Sequence, residues 1–270
     1  MEFSKIQKEE QLIEYLDDIN QRLKERKFIY HYTTINRFFD IYESKLWFLS
    51  NPKCMNDQLE YKNNDAKKAR NLFFASFMAD SVESIGMWSM YSQPWENGVQ
   101  LAIPVNVAKK WVKSITNIRV ISCENNKPIG KVIRCDSKNK VFLSAVAYSN
   151  CDNHEGEREK ITWSTATNYS ILNASHRSDL TGYIKDSAWD YEKEIRIKAI
   201  IDNDNDYSRL AIDIPEEVFD SIELVASPLF NGDIKERIEA KIEKTIITKN
   251  SIFKDKFLMT SACNECMMKS

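Results

Sequence analysis

Lys185-Asp-Ser-Ala-Trp-Asp-Tyr-Glu-Lys-Glu-Ile-Arg-Ile-Lys-Ala-Ile-Ile201 is the stretch on which the reading of this chain turns. A polar turn leads into a run that alternates from Glu192 onward. Ile195, Ile197 and Ala199 fall on one face of such a strand, and Glu192, Glu194, Arg196 and Lys198 fall on the other. Two carboxylates two residues apart on a strand point the same way. At the strand's entrance they are held stiffly and still reach a cleft, which suits a carboxylate that binds a sugar hydroxyl or takes a proton. The competing interpretation is a solvated polar face on which Glu and Arg alternate.

The whole chain has 270 residues, with 38 Lys and Arg against 40 Asp and Glu, and 43% of it is hydrophobic. That is enough apolar material for one large domain or two small ones. The balanced charge argues against nucleic-acid binding by bulk electrostatics, though a local basic patch stays open. No apolar run approaches the ~18 residues of a membrane span. The opening Met1-Glu-Phe-Ser-Lys-Ile-Gln-Lys-Glu-Glu10 is too polar for a signal peptide, so a cytoplasmic location with no membrane partner is expected. In that compartment the six cysteines read as free thiols. Cys263-Asn-Glu-Cys266 has the spacing of half a zinc site, but no second such pair exists and His31, His154 and His176 are scattered; no metal is expected. The six glycines form neither a dinucleotide fingerprint nor a phosphate loop.

Along the chain, Leu12, Leu16, Ile19 and Leu23 recur at helical spacing and predict a helix over 3–26. Phe28-Ile-Tyr-His-Tyr-Thr-Thr34 is aromatic and β-branched and reads as a strand, after which Thr33 or Thr34 caps a helix through Phe38, Phe39 and Ile41. Leu46–Leu49 and Leu72–Phe77 are further strands. Between them lies a polar loop in which Asn56, Asp57 and Glu60 either hold a ligand or cap a helix. Met87–Tyr91 reads as a short helix or turn, Trp95–Pro104 as a turn at Asn97-Gly98 and a strand, and Val107–Val112 as the start of a helix. Strands are predicted at 118–121, 132–133, 141–148, 208–214, 221–226 and 245–247, with an amphipathic helix over 232–244. Short strands separated by turns favour an α+β domain with a mostly antiparallel sheet.

Several of these stretches, taken in order, carry a resemblance. They are Tyr30-His31-Tyr32-Thr33; Leu46–Ser50 with Asn56-Asp57 and Glu60; Ser76-Phe77; Met87-Trp88 with Tyr91; Gly98-Val99; Trp189 with Tyr191–Arg196; and Ile222–Val225. Together they resemble the bacterial family known as domain of unknown function 2971, over roughly residues 28 to 250. Such domains look like remote members of the ADP-ribosyltransferase superfamily.

The predicted elements along the chain give an N-terminal helical extension over 1–27 and a C-terminal tail over 251–270, and the resemblance implies an ADP-ribosyltransferase-like catalytic domain over 28–250 with a split, mostly antiparallel sheet. It implies NAD as a substrate held between two small sheets, and a protein or nucleic acid as acceptor. It also implies a toxin or phage-defence (antiviral) setting. His31 matches the first strand-borne position of that superfamily. Glu194 matches the last, with Glu192 before it in a Glu-x-Glu pair. Ser76 and Tyr91 both remain candidates for the middle position. Tyr32 or Tyr91 is expected to stack on nicotinamide, and Thr33, Asn56 and Asp57 complete the binding set. Two alternatives stand beside a transferase: an NAD glycohydrolase, if water is the acceptor, and a non-catalytic module that binds a ligand or partner.

Overall fold

The computed structural model describes residues 26–55, 70–79, 83–122, 127–149, 184–202 and 207–256. The predicted helix over 3–26, Asn56, Asp57 and Glu60, and the Cys263/Cys266 pair lie outside those residues.

Strand β1 (Phe28–Thr34) runs straight into helix α1 (Ile35–Ser44). Thr34 caps that helix by accepting from the Arg37 amide, and Lys45 ends it with a left-handed φ of 55°. β2 (Leu46–Ser50), β3 (Leu72–Met78), α2 (Ile85–Tyr91) and β4 (Gly98–Pro104) follow. Next come α3 (Val105–Ser114), β5 (Asn117–Ile121), β6 (Pro128–Arg134), β7 (Lys140–Ala145) and β8 (Ala147–Ser149). The final set is β9 (Ile184–Asp186), a 3₁₀ turn at Ser187–Glu192, β10 (Glu194–Ile200), β11 (Arg209–Asp213), α4 (Glu216–Ser221), β12 (Glu223–Ala226), α5 (Ile234–Glu239) and β13 (Ile247–Asn250).

Eleven strands form one connected sheet, and β8 and β9 pair separately in parallel. Among the described residues of the large sheet only β12 and β13 pair in parallel; the other pairs are antiparallel, as the α+β reading expects. The decisive feature is at β3. One edge of β3 is taken along its full length by β10, from Leu72↔Ile200 to Met78↔Glu194. The other edge is shared: β1 meets it at Tyr30↔Met78 and β2 meets it at Ser50↔Phe74. β1 then continues with β4, and β2 with β11, so two wings diverge from one strand and leave a cleft between them.

Side-chain alternation sorts the sheet's two faces. Ile29, Phe73, Phe77, Leu101, Ile195, Ile197 and Leu210 belong to the main core, which α1, α3, α4 and α5 cover through Phe38, Trp111, Phe219 and Ile238. Burying side chains of this size contributes ~1.5–3 kcal/mol each. On the opposite face, α2 covers a smaller cluster of Tyr32, Met78, Met87, Trp88 and Val225.

Some sequence expectations shift. The carboxylate-bearing strand begins at Glu194, not Glu192: Glu192 closes the 3₁₀ turn, and Lys193, with φ 42°, turns the chain between them. Its polar face is not solvated, since Glu194, Arg196 and Lys198 are 2%, 1% and 0% exposed. The expected strand over 221–226 starts at Glu223, because Glu216–Ser221 forms a helix that the extended Pro215 precedes at its N-cap. The amphipathic helix is confined to Ile234–Glu239, and the run over 141–148 breaks at Val146 into two strands.

Candidate active site

Where β1 and β2 part over β3, a pocket of about 480 Å³ opens. Its lining includes Tyr30, His31, Tyr32 and Thr33 from β1, Arg37 from α1, Ser76 from β3, Tyr91 from α2, and Lys185, Glu192, Glu194 and Arg196. The sequence candidates His31, Tyr32, Thr33, Ser76, Tyr91, Glu192 and Glu194 are thus brought to one hollow, although they span most of the described chain. Its volume falls in the ~300–1,000 Å³ range of small-molecule and cofactor sites.

Ser76 joins the two halves of the site. Its carbonyl lies 3.1 Å from His31 Nδ1, and its hydroxyl hydrogen-bonds the Glu194 carboxylate. A carbonyl only accepts, so Nδ1 carries the proton and Nε2 is left with a free lone pair. Burial lowers the imidazole's pKa, and the bond to Ser76 offsets this only in part, so the ring is neutral at pH 7. Trp47 and Phe77 fix the ring at centroid distances of 5.0 and 5.6 Å. Strict alternation puts His31 on the main-core face and Glu194 on the other. Only the divergence of β1 from β3 lets one pocket reach both.

Glu194 sits in a buried charge network. Arg196 Nε donates to its Oε1 at 2.7 Å and Arg196 Nη2 to its Oε2 at 3.0 Å. Lys185 Nζ donates to the same Oε2 at 3.3 Å and to Glu192 Oε2 at 2.5 Å. The Tyr91 hydroxyl donates to Glu192 Oε1. The Glu194 amide donates to the Tyr148 hydroxyl at 2.7 Å. Burial alone would raise the Glu194 carboxyl pKa, but Arg196 and Lys185 overcome it and hold the group at about 2. Lys185 shows the mirror image: burial opposes its charge, yet Glu194 and Glu192 raise its pKa. Burial, then the bond to Glu192, pushes the Tyr91 phenol far up, and burial with the Glu194 charge does the same to Tyr148. Both phenols therefore stay protonated. The network holds two cations and two anions, the condition under which charges survive in a low-dielectric interior.

Tyr32 is not free to stack on a ligand. Its ring packs edge-on to Trp88 at 4.8 Å, its hydroxyl accepts from the Ser84 amide, and burial raises its pKa to about 12. Tyr91 is half-buried, and its hydroxyl donates to the Glu192 carboxylate. Both candidates for the middle position touch an acid: Ser76 from a strand to Glu194, Tyr91 from a helix to Glu192.

Sequence reasoning missed Lys185, Arg196 and Tyr148 as members of the site. Arg196 was visible as the next same-face residue after Glu194. Nothing in the local pattern marked Lys185, which reads as part of a polar turn, or Tyr148, which reads as a strand aromatic.

Fold and site together define an α+β protein with a diverging antiparallel sheet and a charge-balanced carboxylate pair in its cleft. Residues 87–197 match the family model described as "Protein of unknown function (DUF2971)", in accord with the resemblance carried by the sequence motifs. None of the curated proteins matches. Among solved structures, "Thermus sp. 2.9 DarT in complex with NAD+" aligns at a TM-score of 0.35 and 10% identity, over 87% of this chain and 98% of that one. "Thermus sp. 2.9 DarT in complex with ADP-ribosylated ssDNA" aligns at 0.34 and 13%, over 87% and 97%.

Proposed function

We propose that this protein cleaves the nicotinamide–ribose bond of NAD and passes the ADP-ribosyl group to a protein or nucleic-acid acceptor. The observation that carries this reading is the meeting of His31, Glu192 and Glu194 in one pocket, with Ser76 linking His31 to Glu194.

In this reaction the N-glycosidic bond breaks and nicotinamide leaves with the bonding pair. Positive charge develops on the ribose, and C1′ then bonds to the acceptor. A carboxylate that stays ionised in a dry site stabilises that charge more than it stabilises the neutral ground-state sugar. Glu194 fits that role, since its cationic neighbours keep it anionic at every physiological pH. Glu192 would orient the acceptor and take its proton. His31 has a free acceptor nitrogen and no donor to spare, so it would accept from a ribose hydroxyl on the adenosine side rather than hold a phosphate. The half-buried ring of Tyr91 is placed to stack on nicotinamide. A toxin or phage-defence role follows the resemblance and belongs to this proposal.

The test is incubation of the purified protein with NAD and a cell lysate as acceptor source, followed by nicotinamide release and by labelled ADP-ribose. Release that falls ~10²–10³-fold in Glu194→Gln supports the assignment. Labelled macromolecule indicates a transferase. Free ADP-ribose without labelled acceptor indicates a glycohydrolase. Intact NAD under all conditions overturns both and leaves a binding module.

A further inference from the structure

We infer that Lys185 is a positioning residue of this site: its ammonium bridges Glu192 and Glu194 and holds the two carboxylates at one spacing, facing the pocket together. The link to NAD rests on the function proposed above; the bridge itself does not.

The three residues arrive on three different elements. Lys185 lies in β9, Glu192 ends the 3₁₀ turn and Glu194 opens β10. Lys193 turns the backbone between the acids at a φ of 42°, so the regular two-residue repeat of a strand does not relate them. Something else must set their mutual geometry. Lys185 Nζ contacts Glu192 Oε2 at 2.5 Å and Glu194 Oε2 at 3.3 Å. An ammonium has three donors and can serve two acceptors at once.

A lysine is a flexible tether, and this one is pinned. The residue is 7% exposed, and its ammonium lies 4.6 Å from the centroid of the Trp189 ring. The charged and titratable groups around it are the carboxylates of Glu192 and Glu194, the Arg196 guanidinium, and the phenols of Tyr91, Tyr148 and Tyr191. Adjacent carboxylates repel, and without a cation between them such a pair tends to share a proton. Lys185 thus offsets the repulsion between the two acids in a buried place, while Arg196 grips Glu194 and Tyr91 grips Glu192.

The experiment compares Lys185→Met, which keeps the stem and removes the charge, with Lys185→Arg, which restores it. Thermal melting establishes that each is folded. Carbon-13 NMR then follows the Glu194 carboxyl through its titration. In Lys185→Met the midpoint is expected to move up by about one pH unit or more, and in Lys185→Arg most of that change is reversed. The kcat for nicotinamide release is expected to fall about 10–100-fold in Lys185→Met with little change in KM. A folded Lys185→Met whose Glu194 midpoint stays in place overturns the inference. If Lys185→Met does not fold, the same link is read from its other end. The nitrogen-15 titration of Lys185 should move down in both Glu192→Gln and Glu194→Gln, and movement in one alone, or in neither, overturns it. A wild type that releases no nicotinamide defeats the NAD reading, and the titrations still decide the role of Lys185.

Discussion

Glu194→Gln tests the buried charge network through stability as well as activity. The carboxyl titrates at about 2 in the folded protein against an ordinary 4.5. The folded state therefore binds this proton less tightly than the unfolded chain does, and the ionised group stabilises the fold. A depression of that size corresponds to about 3 kcal/mol, fully present above the unfolded value and lost as pH falls towards the folded one. Glu194 is 2% exposed, so solvent screening removes little of it. The amide of Gln cannot balance Arg196 and Lys185, and breaking a buried pair in this way costs ~3–5 kcal/mol at neutral pH. Urea denaturation of wild type and variant at about pH 7 and about pH 3.5 measures the gap between them. The gap should shrink by about 1.4 kcal/mol at the lower pH, where part of the wild-type advantage has been titrated away. A gap that is the same at both values would refute the claim that the Glu194 charge, rather than its shape, stabilises this part of the fold.

Tyr91→Phe removes the hydroxyl that donates to Glu192 and leaves a buried acceptor short of one bond. It should lower stability by ~1–3 kcal/mol in a denaturant melt and reduce nicotinamide release more than it changes KM. His31→Phe keeps a ring packed edge-on to Trp47 and tilted against Phe77 but deletes the Nε2 acceptor and the bond to Ser76. Isothermal titration with NAD should show weaker binding, while kcat at saturation falls less than in Glu194→Gln. Gly98→Ala would place a methyl 2.9 Å from the Ser92 carbonyl oxygen and 3.0 Å from Ser227 Cβ at the start of β4. Its melting midpoint should fall in line with a loss of ~1–3 kcal/mol, the usual cost of overpacking a tight contact.

Much of the architecture could be read along the chain, because strand alternation and helix caps are local properties. The run from Phe28 to Thr34, the cap at Thr34 and the alternation of Ile195, Ile197 and Ala199 all report the geometry of their own few residues. The same alternation stated that Glu194 and Arg196 share a face, but not what lies over it. A polar strand face next to solvent and one closed by Ser76, Lys185 and Tyr91 have the same sequence pattern, since the cover comes from elements 9 to about 120 residues away in the chain. His31 and Glu194 were paired by motif order. Their meeting depends on β1 and β2 sharing one edge of β3, a long-range pairing that no local window encodes. The chain by itself thus determined which residues belong to which strand and which side they take. The tertiary structure decided that a face of unlike charges would be buried, because the arrival of Lys185 and Arg196 beside Glu192 and Glu194 gives each of these buried acids a cationic partner.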